Sequence, residues 1–218
     1  MLTLHTAGLL LTAVPGAAPV PGGAVAVDGD TVAATGPYED VAAAFPQARV
    51  RRWPGVLTPG LRQWYAKWLL QQCYHPDPRE YEELGEQPLT GERLAALEMS
   101  EARRAGSVRR GIQQMLRHGT TAVVRVCFDD PVTTTALARS GLRFASAGWV
   151  PGVLVSEPDL DPLRNVSDPA VAFAEPLTVG GRADFAVFDV PDEAALLKAG
   201  AATCVATVLG GRLVYRRR

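Results

Sequence analysis

Reactive chemistry in this chain would have to come from few side chains, because 218 residues hold only three histidines and three cysteines. The densest cluster is Cys73-Tyr74-His75-Pro76-Asp77-Pro78-Arg79-Glu80. Cys73 and His75 could form a metal pair or a thiol–imidazole couple. Catalysis would also need a group to orient the imidazole and donors for an oxyanion, and a metal would need two further ligands. The same residues read equally as a proline-stiffened loop with Asp77 and Arg79 as local caps. A second cluster surrounds Arg125. Alternation along Thr120–Phe128 puts Thr121, Val123, Arg125 and Cys127 on one face. A guanidinium in mid-strand requires a partner if it is buried. Asp129 and Asp130 follow at the strand's C-terminal end. This is either part of a polar pocket or an edge strand with a solvated arginine and an Asp-Asp-Pro turn.

Other charged groups read as structural. His118 precedes Gly119 at a helix end, where a partly charged imidazole suits the dipole. Arg103, Arg104, Arg109 and Arg110 interleave with Glu92, Glu98 and Glu101 as a mixed-charge solvated helix face, with no aromatics among them to make a nucleic-acid platform. No Walker or dinucleotide fingerprint occurs.

The elements that must position these groups fall into three stretches. Residues 1–60 read as β: Leu2–His5, Leu9–Ala13, then Ala24–Asp28 and Thr31–Thr35 around Gly29-Asp30, a two-residue hairpin signal. A short helix Tyr38–Phe45 follows, then Arg49–Trp53 and Val56–Leu57. Residues 61–167 are helical with strands. Leu61–Cys73 has helical spacing, and an amphipathic pattern runs from Glu92 to Arg117 with Thr90 as N-cap and His118-Gly119 as stop. Thr120–Phe128, helix Pro131–Arg139 and Leu142–Ser146 make a β-α-β order that implies parallel pairing, with a further strand expected at Val150–Val155. Residues 156–169 read as a linker. Residues 168–218 return to β with Ala183–Phe188, Thr203–Leu209 and Leu213–Tyr215 around a helix at Asp192–Ala199. Arg216, Arg217 and Arg218 read as a frayed tail.

Composition narrows the classes. At 47% hydrophobic and 21% charged residues the chain can bury a core, which excludes disorder. A net charge of −1 gives no global basic field for nucleic acid. No stretch reaches the roughly 20 apolar residues of a membrane helix. The opening MLTLHTAGLLLTAVPGAAPVPGG lacks a basic n-region and reads as structure rather than a signal peptide. Three scattered cysteines suit reduced thiols in the cytoplasm. Richness in Ala, Gly, Arg and Pro suits a GC-rich bacterial genome.

Three stretches together resemble one family. Gly23–Val27, Asp28-Gly29-Asp30, Val32–Ala34, then Pro54-Gly55 and Leu57-Thr58-Pro59-Gly60-Leu61 resemble the start of the amidohydrolase superfamily, in which a small β-sandwich precedes a metal-bearing barrel. Leu177–Asp189 and Val208–Tyr215 are similar to that family's return to the sandwich and its last hairpin. Ser107-Val-Arg-Arg-Gly111 and Met115–Val123 resemble the imidazolonepropionase and aminodeoxyfutalosine deaminase branch. The fold this implies is α/β with β-rich ends: an amidohydrolase-type composite β-sandwich from residues 1–60 and 168–218, enclosing a truncated (β/α) barrel segment at 61–167.

The family's chemistry does not follow. Pro-Gly-Leu is followed there by His-x-His, the first two metal ligands, and here those places hold Tyr65 and Lys67. An ammonium repels a metal ion. No histidine follows His118, so the later histidine ligands are missing too, and no metal or other cofactor is expected. Leu61 to Asp168 spans about a hundred residues, against roughly 200–250 for a full barrel. Tyr65, Lys67, Arg125 and Asp129 are therefore expected to line a pocket for a small anionic or heterocyclic ligand, with Cys73 and His75 as the weaker candidates. Two functions follow: a degenerate relative that binds a ligand or partner without hydrolysis, or a hydrolase or deaminase acting on a non-peptide carbon–nitrogen bond through a rebuilt site. A barrel that cannot close leaves an open edge, and Trp64, Trp68, Phe144 and Trp149 could add an exposed aromatic patch. A homodimer built around that edge is expected.

Overall fold

The computed structural model describes residues 2–125, 128–146, 159–164 and 166–217. The first part supplies β1 (Thr3–Thr6), β2 (Leu9–Leu10), β3 (Val20–Pro21), β4 (Gly23–Asp28), β5 (Thr31–Pro37), α1 (Tyr38–Ala44), β6 (Arg49–Arg52) and β7 (Val56–Pro59). The middle supplies β8 (Leu61–Gln63), α2 (Ala66–Gln71), α3 (Tyr81–Leu84), α4 (Gly91–Ala95), α5 (Glu101–Arg117), β9 (Thr120–Val124), α6 (Pro131–Ser140) and β10 (Arg143–Ala145). The last part supplies β11 (Phe185–Phe188), α7 (Glu193–Ala199), β12 (Cys204–Leu209) and β13 (Arg212–Arg216).

Strand pairing joins the two ends of the chain. One sheet runs β5-β4-β1-β6, and a six-stranded sheet runs β13-β12-β11-β7-β2-β3. Antiparallel pairing sets Phe185 opposite Pro59 and Phe188 opposite Val56. Strand β11 is buried throughout, and its alternation feeds two cores. Phe185 and Val187 pack with Val25, Val27, Leu57 and Val208 between the two sheets. Ala186 and Phe188 pack on the other face with Val56, Leu61, Val124 and Phe173. Each such large apolar side chain contributes roughly 1.5–3 kcal/mol on burial.

The middle part builds a parallel three-stranded sheet, β10-β9-β8, and no closed barrel forms among the described residues. Helices α2, α5 and α6 cover one face, packing Leu69, Leu70, Val108, Ile112, Met115 and Leu137 with Val123 of β9. Gly60 is forced by this junction, because a Cβ there would lie 2.0 Å from the Thr121 hydroxyl.

Several sequence expectations are corrected. The helical spacing of Leu61–Cys73 is a strand, β8, followed by the shorter α2. The pattern from Glu92 to Arg117 is two helices. Thr90 makes no side-chain cap, whereas Ser100 accepts a hydrogen bond from the Arg103 amide and starts α5. Strand β9 stops at Val124, so Arg125 lies beyond it, exposed. Arg216 ends β13, and the Arg217 amide donates to the Val205 carbonyl, so these two residues belong to the sheet rather than to a frayed tail. Trp64 is only 7% exposed and cannot belong to an exposed aromatic patch, while Phe144 on the edge strand β10 is 41% exposed. Cys127, Trp149, Arg218 and the strand expected at Val150–Val155 lie outside the described residues.

Candidate functional site

The C-terminal ends of β8 and β9 place the candidate side chains. Buried Gln63 closes β8. Its amide nitrogen donates to the carbonyls of Asp159 and Leu160 at 3.2 and 3.3 Å, and its amide oxygen accepts from the Tyr65 amide at 3.0 Å. This turns the chain into α2 and leaves Tyr65 half-buried at its N-cap. Burial, then the nearby Asp159 carboxylate, raises the Tyr65 phenol above its ordinary pKa. Lys67 stands in the first turn of α2. Its Nζ lies 2.8 Å from Asp129 Oδ2 and 3.1 Å from Oδ1. With its amide oriented so that the oxygen faces the two donors, Gln71 ties the same helix to this loop, accepting from the Asp129 and Asp130 amides at 3.2 and 3.0 Å.

Asp130 is structural. Its carboxylate caps α6, accepting from the Val132 and Thr133 amides and the Thr133 hydroxyl, and pairs with Arg104 at 3.3 Å. Burial pushes its pKa up, but the hydrogen bonds from Thr133 and the Arg104 charge outweigh that and hold it low. Arg125 donates its amide to the Ala145 carbonyl and lays its guanidinium 5.3 Å from the centre of the Phe144 ring. Thus the structure brings Lys67 and Asp129 together, with Tyr65 two residues before Lys67. It sets Arg125 on Phe144 of the neighbouring strand.

Cys73 and His75 do not form a couple. Both are buried. The His75 Nε2–H donates to the Leu69 carbonyl at 2.8 Å, and its backbone amide donates to the Ser107 hydroxyl at 2.9 Å. Burial, then the Arg110 charge, lowers the imidazole pKa despite the Leu69 bond. Burial pushes the Cys73 thiol up to about 12, which removes thiolate chemistry near neutral pH.

Sequence reasoning missed why this loop is rigid. Arg103 and Arg110 are not part of a solvated face. Arg103 donates to the Tyr74 hydroxyl at 3.0 Å and to Glu80 at 2.8 Å, while Tyr74 donates to the other Glu80 oxygen at 2.5 Å. Arg110 holds Asp77 at 3.1 Å and the His75 carbonyl at 2.8 Å. The signal was available in Asp77-x-x-Glu80, which forms a capping box around the short 3-10 helix Pro78–Glu80. Beside it an open cleft of about 1530 Å³ runs along α5, lined by Asp77, Arg109, Arg110, Arg117, Asp161 and Arg164 among others. None of Tyr65, Lys67, Arg125 or Asp129 lines it.

Comparison with known proteins now bears on this arrangement. Residues 23–48 match the imidazolonepropionase-like composite domain of bacteria. The match falls on β4, β5 and α1, within the first of the three stretches that carry the sequence resemblance. No curated protein matches the chain. Among solved structures, a Xaa-Pro dipeptidase with bound methionine is 15% identical with a TM-score of 0.44, covering 78% of this chain and 42% of its own. Helicobacter pylori aminofutalosine deaminase is 14% identical with a TM-score of 0.43, covering 66% and 34%. Guanine deaminase from Bradyrhizobium japonicum is 18% identical with a TM-score of 0.42, covering 66% and 34%. This chain therefore spans well under half the length of each.

The resemblance to the amidohydrolases raises the question of a metal. Tyr65 and Lys67 stand where the resemblance puts two histidine ligands, and the Lys67 ammonium already neutralises Asp129. Among the described residues no three His, Cys, Asp or Glu side chains gather so as to hold a metal ion. Tyr65, Lys67 and the described residues around them do not fit a bound dication.

Proposed function

We propose that this protein is a metal-free, amidohydrolase-like binding protein, which holds a small anionic or heterocyclic ligand, or a protein partner, without hydrolysing it. The observation that carries this reading is the Lys67–Asp129 ion pair at the C-terminal ends of the parallel strands. A metal-dependent hydrolase needs a Lewis acid there to lower the pKa of a bound water. An ammonium ion has no vacant orbital and cannot activate water in that way. The chemistry these side chains offer is recognition: the Tyr65 hydroxyl, the Lys67–Asp129 pair and, over Phe144, the exposed Arg125 guanidinium, a fork suited to carboxylate or phosphate groups. The buried free thiols Cys73 and Cys204 suit a reducing cytoplasm.

The composite-domain match at residues 23–48 favours a second reading, hydrolysis or deamination at a non-peptide carbon–nitrogen bond of a cyclic amidine or nucleoside-like substrate. Elemental analysis of the purified native protein, with a thermal-shift screen of nucleosides and imidazolones, separates the two. Less than one-tenth of a zinc per chain together with a ligand-induced rise in Tm supports binding. One tightly held zinc per chain, with turnover lost on chelation, reverses the assignment.

A further inference from the structure

The arginines of this molecule differ in whether they hold a carboxylate. In the middle part and its return, Arg103, Arg104, Arg110, Arg143, Arg164 and Arg182 each hold a carboxylate. Arg49, Arg51 and Arg52 of β6 and Arg216 and Arg217 at the end of β13 form no ion pair with any described residue, nor do Arg109, Arg117 and Arg139 of the middle part. Trp53, which follows β6 at the edge of one sheet, meets Arg216 of β13, the edge strand of the other. Register sets Arg51 beside His5, and the indole of Trp53, just after β6, donates to His5 Nδ1 at 3.1 Å. From the opposite sheet the Arg216 guanidinium lies 5.6 Å from the Trp53 ring centre. Arg52 is likewise fixed, 4.9 Å from the Tyr38 ring centre with a 3.1 Å hydrogen bond to its hydroxyl. Like charges are thus gathered from both sheets and ordered by aromatic rings.

The backbone of β6 adds a second feature. The amides of Arg49 and Trp53 donate to the carbonyls of Leu2 and Thr6. In a parallel ladder this alternation turns the peptide groups of Val50 and Arg52 towards the open edge. Val50 is itself 40% exposed. An edge of this kind accepts an added strand by main-chain hydrogen bonds, while side-chain charge selects what is added. A second copy of β6 would bring arginine against arginine and is disfavoured.

We propose that the β6 edge docks an acidic, extended segment of a partner protein, which adds a strand beside Arg49–Arg52 and meets the arginines of both sheets with its carboxylates. This surface lies apart from the Lys67–Asp129 region and does not depend on the function proposed there.

The test uses the whole protein and a fluorescently labelled peptide alternating glutamate and valine, followed by anisotropy at low and physiological salt. Controls are an alternating lysine–valine peptide, the acidic peptide N-methylated at alternate residues, and a single-stranded oligonucleotide. Saturable binding of the acidic peptide is expected, weakened by salt, with the N-methylated and lysine peptides failing. R49E/R51E and R216E should each weaken binding by about tenfold, as loss and reversal of a few exposed charge pairs implies. R139E changes an exposed arginine on α6 that pairs with no described residue, and should leave binding unchanged. A circular-dichroism melt of each variant establishes that it is folded. No saturable binding to the acidic peptide, equal binding of the N-methylated peptide, or binding to the oligonucleotide alone would each overturn the proposal.

Discussion

Lys67 grips both carboxylate oxygens of Asp129, at 2.8 and 3.1 Å, across 62 residues of sequence. The pair is partly exposed, at 34% and 67% for the two side chains, so its worth lies in position more than in stability. Exposed pairs contribute about 0–1 kcal/mol. Lys67→Ala should therefore lower the unfolding free energy by less than about 1 kcal/mol, read from urea denaturation. The double variant Y65H/K67H restores a His-x-His spacing but supplies only two ligands. It should leave gel filtration with far less than one zinc per chain. Stoichiometric zinc in that variant would mean that the rest of a metal site is in place.

His5 makes the protein acid-sensitive. Burial, and then the Arg51 charge, lowers its pKa from 6.5 to about 3. The unfolded chain takes up a proton near pH 6.5, whereas the folded chain refuses it until about pH 3. Stability is therefore full above pH 6.5 and is lost as pH falls from there towards 3, by on the order of a few kcal/mol. His75, also lowered, acts in the same direction. His5→Asn keeps an acceptor for the Trp53 indole and removes the titration. Urea midpoints measured from pH 8 to 4 should fall less steeply in H5N than in the parent, and equal slopes would contradict the assignment.

Gly111 and Gly106 separate packing from helix propensity within α5. Replacing glycine by alanine inside a helix favours folding by roughly 0.8–1 kcal/mol. At Gly111 a Cβ would meet the His75 ring at 2.8 Å and Leu70 at 2.9 Å. Overpacking costs about 1–3 kcal/mol, so G111A should be net destabilising. At Gly106 the nearest atom is Arg110 Nη1, 3.0 Å away, whose partly exposed pair with Asp77 has little stability to lose, and G106A should be neutral or stabilising. Chemical denaturation of both variants checks the opposite signs.

Local signals were read correctly where local physics decides. The Gly29-Asp30 hairpin has Gly29 at φ 61°, and the helix that starts after Asp192 is capped by the Asp192 carboxylate bonding to the Ala195 amide. Leu61–Gln63 is not legible as a strand because three residues show no period of their own. Its identity comes from pairing with β9, whose partner residues lie at Thr120–Val123. The break before Ser100 was hidden by apolar spacing that continues through Leu94, Leu97 and Met99. The arginines of α5 were assigned to solvent because helical spacing says nothing about a loop folding back over that face. Of the candidate site, the sequence placed Lys67 and Asp129 in one region, but which cation Asp129 would choose is a tertiary matter.

The interleaving of β7 with β11 has a consequence for synthesis. Val56–Pro59 emerges from the ribosome early, with a buried face and no antiparallel neighbour, and must wait until Phe185–Phe188 has been made. Domains generally fold as units during translation. Here the six-stranded sheet cannot assemble from the amino-terminal end, whatever happens to the helices between. A nascent chain stalled before β11 would carry Val56 and Leu57 uncovered, a natural substrate for chaperones. Such sequence-distant pairing also slows folding. A strand made later decides whether an earlier one folds.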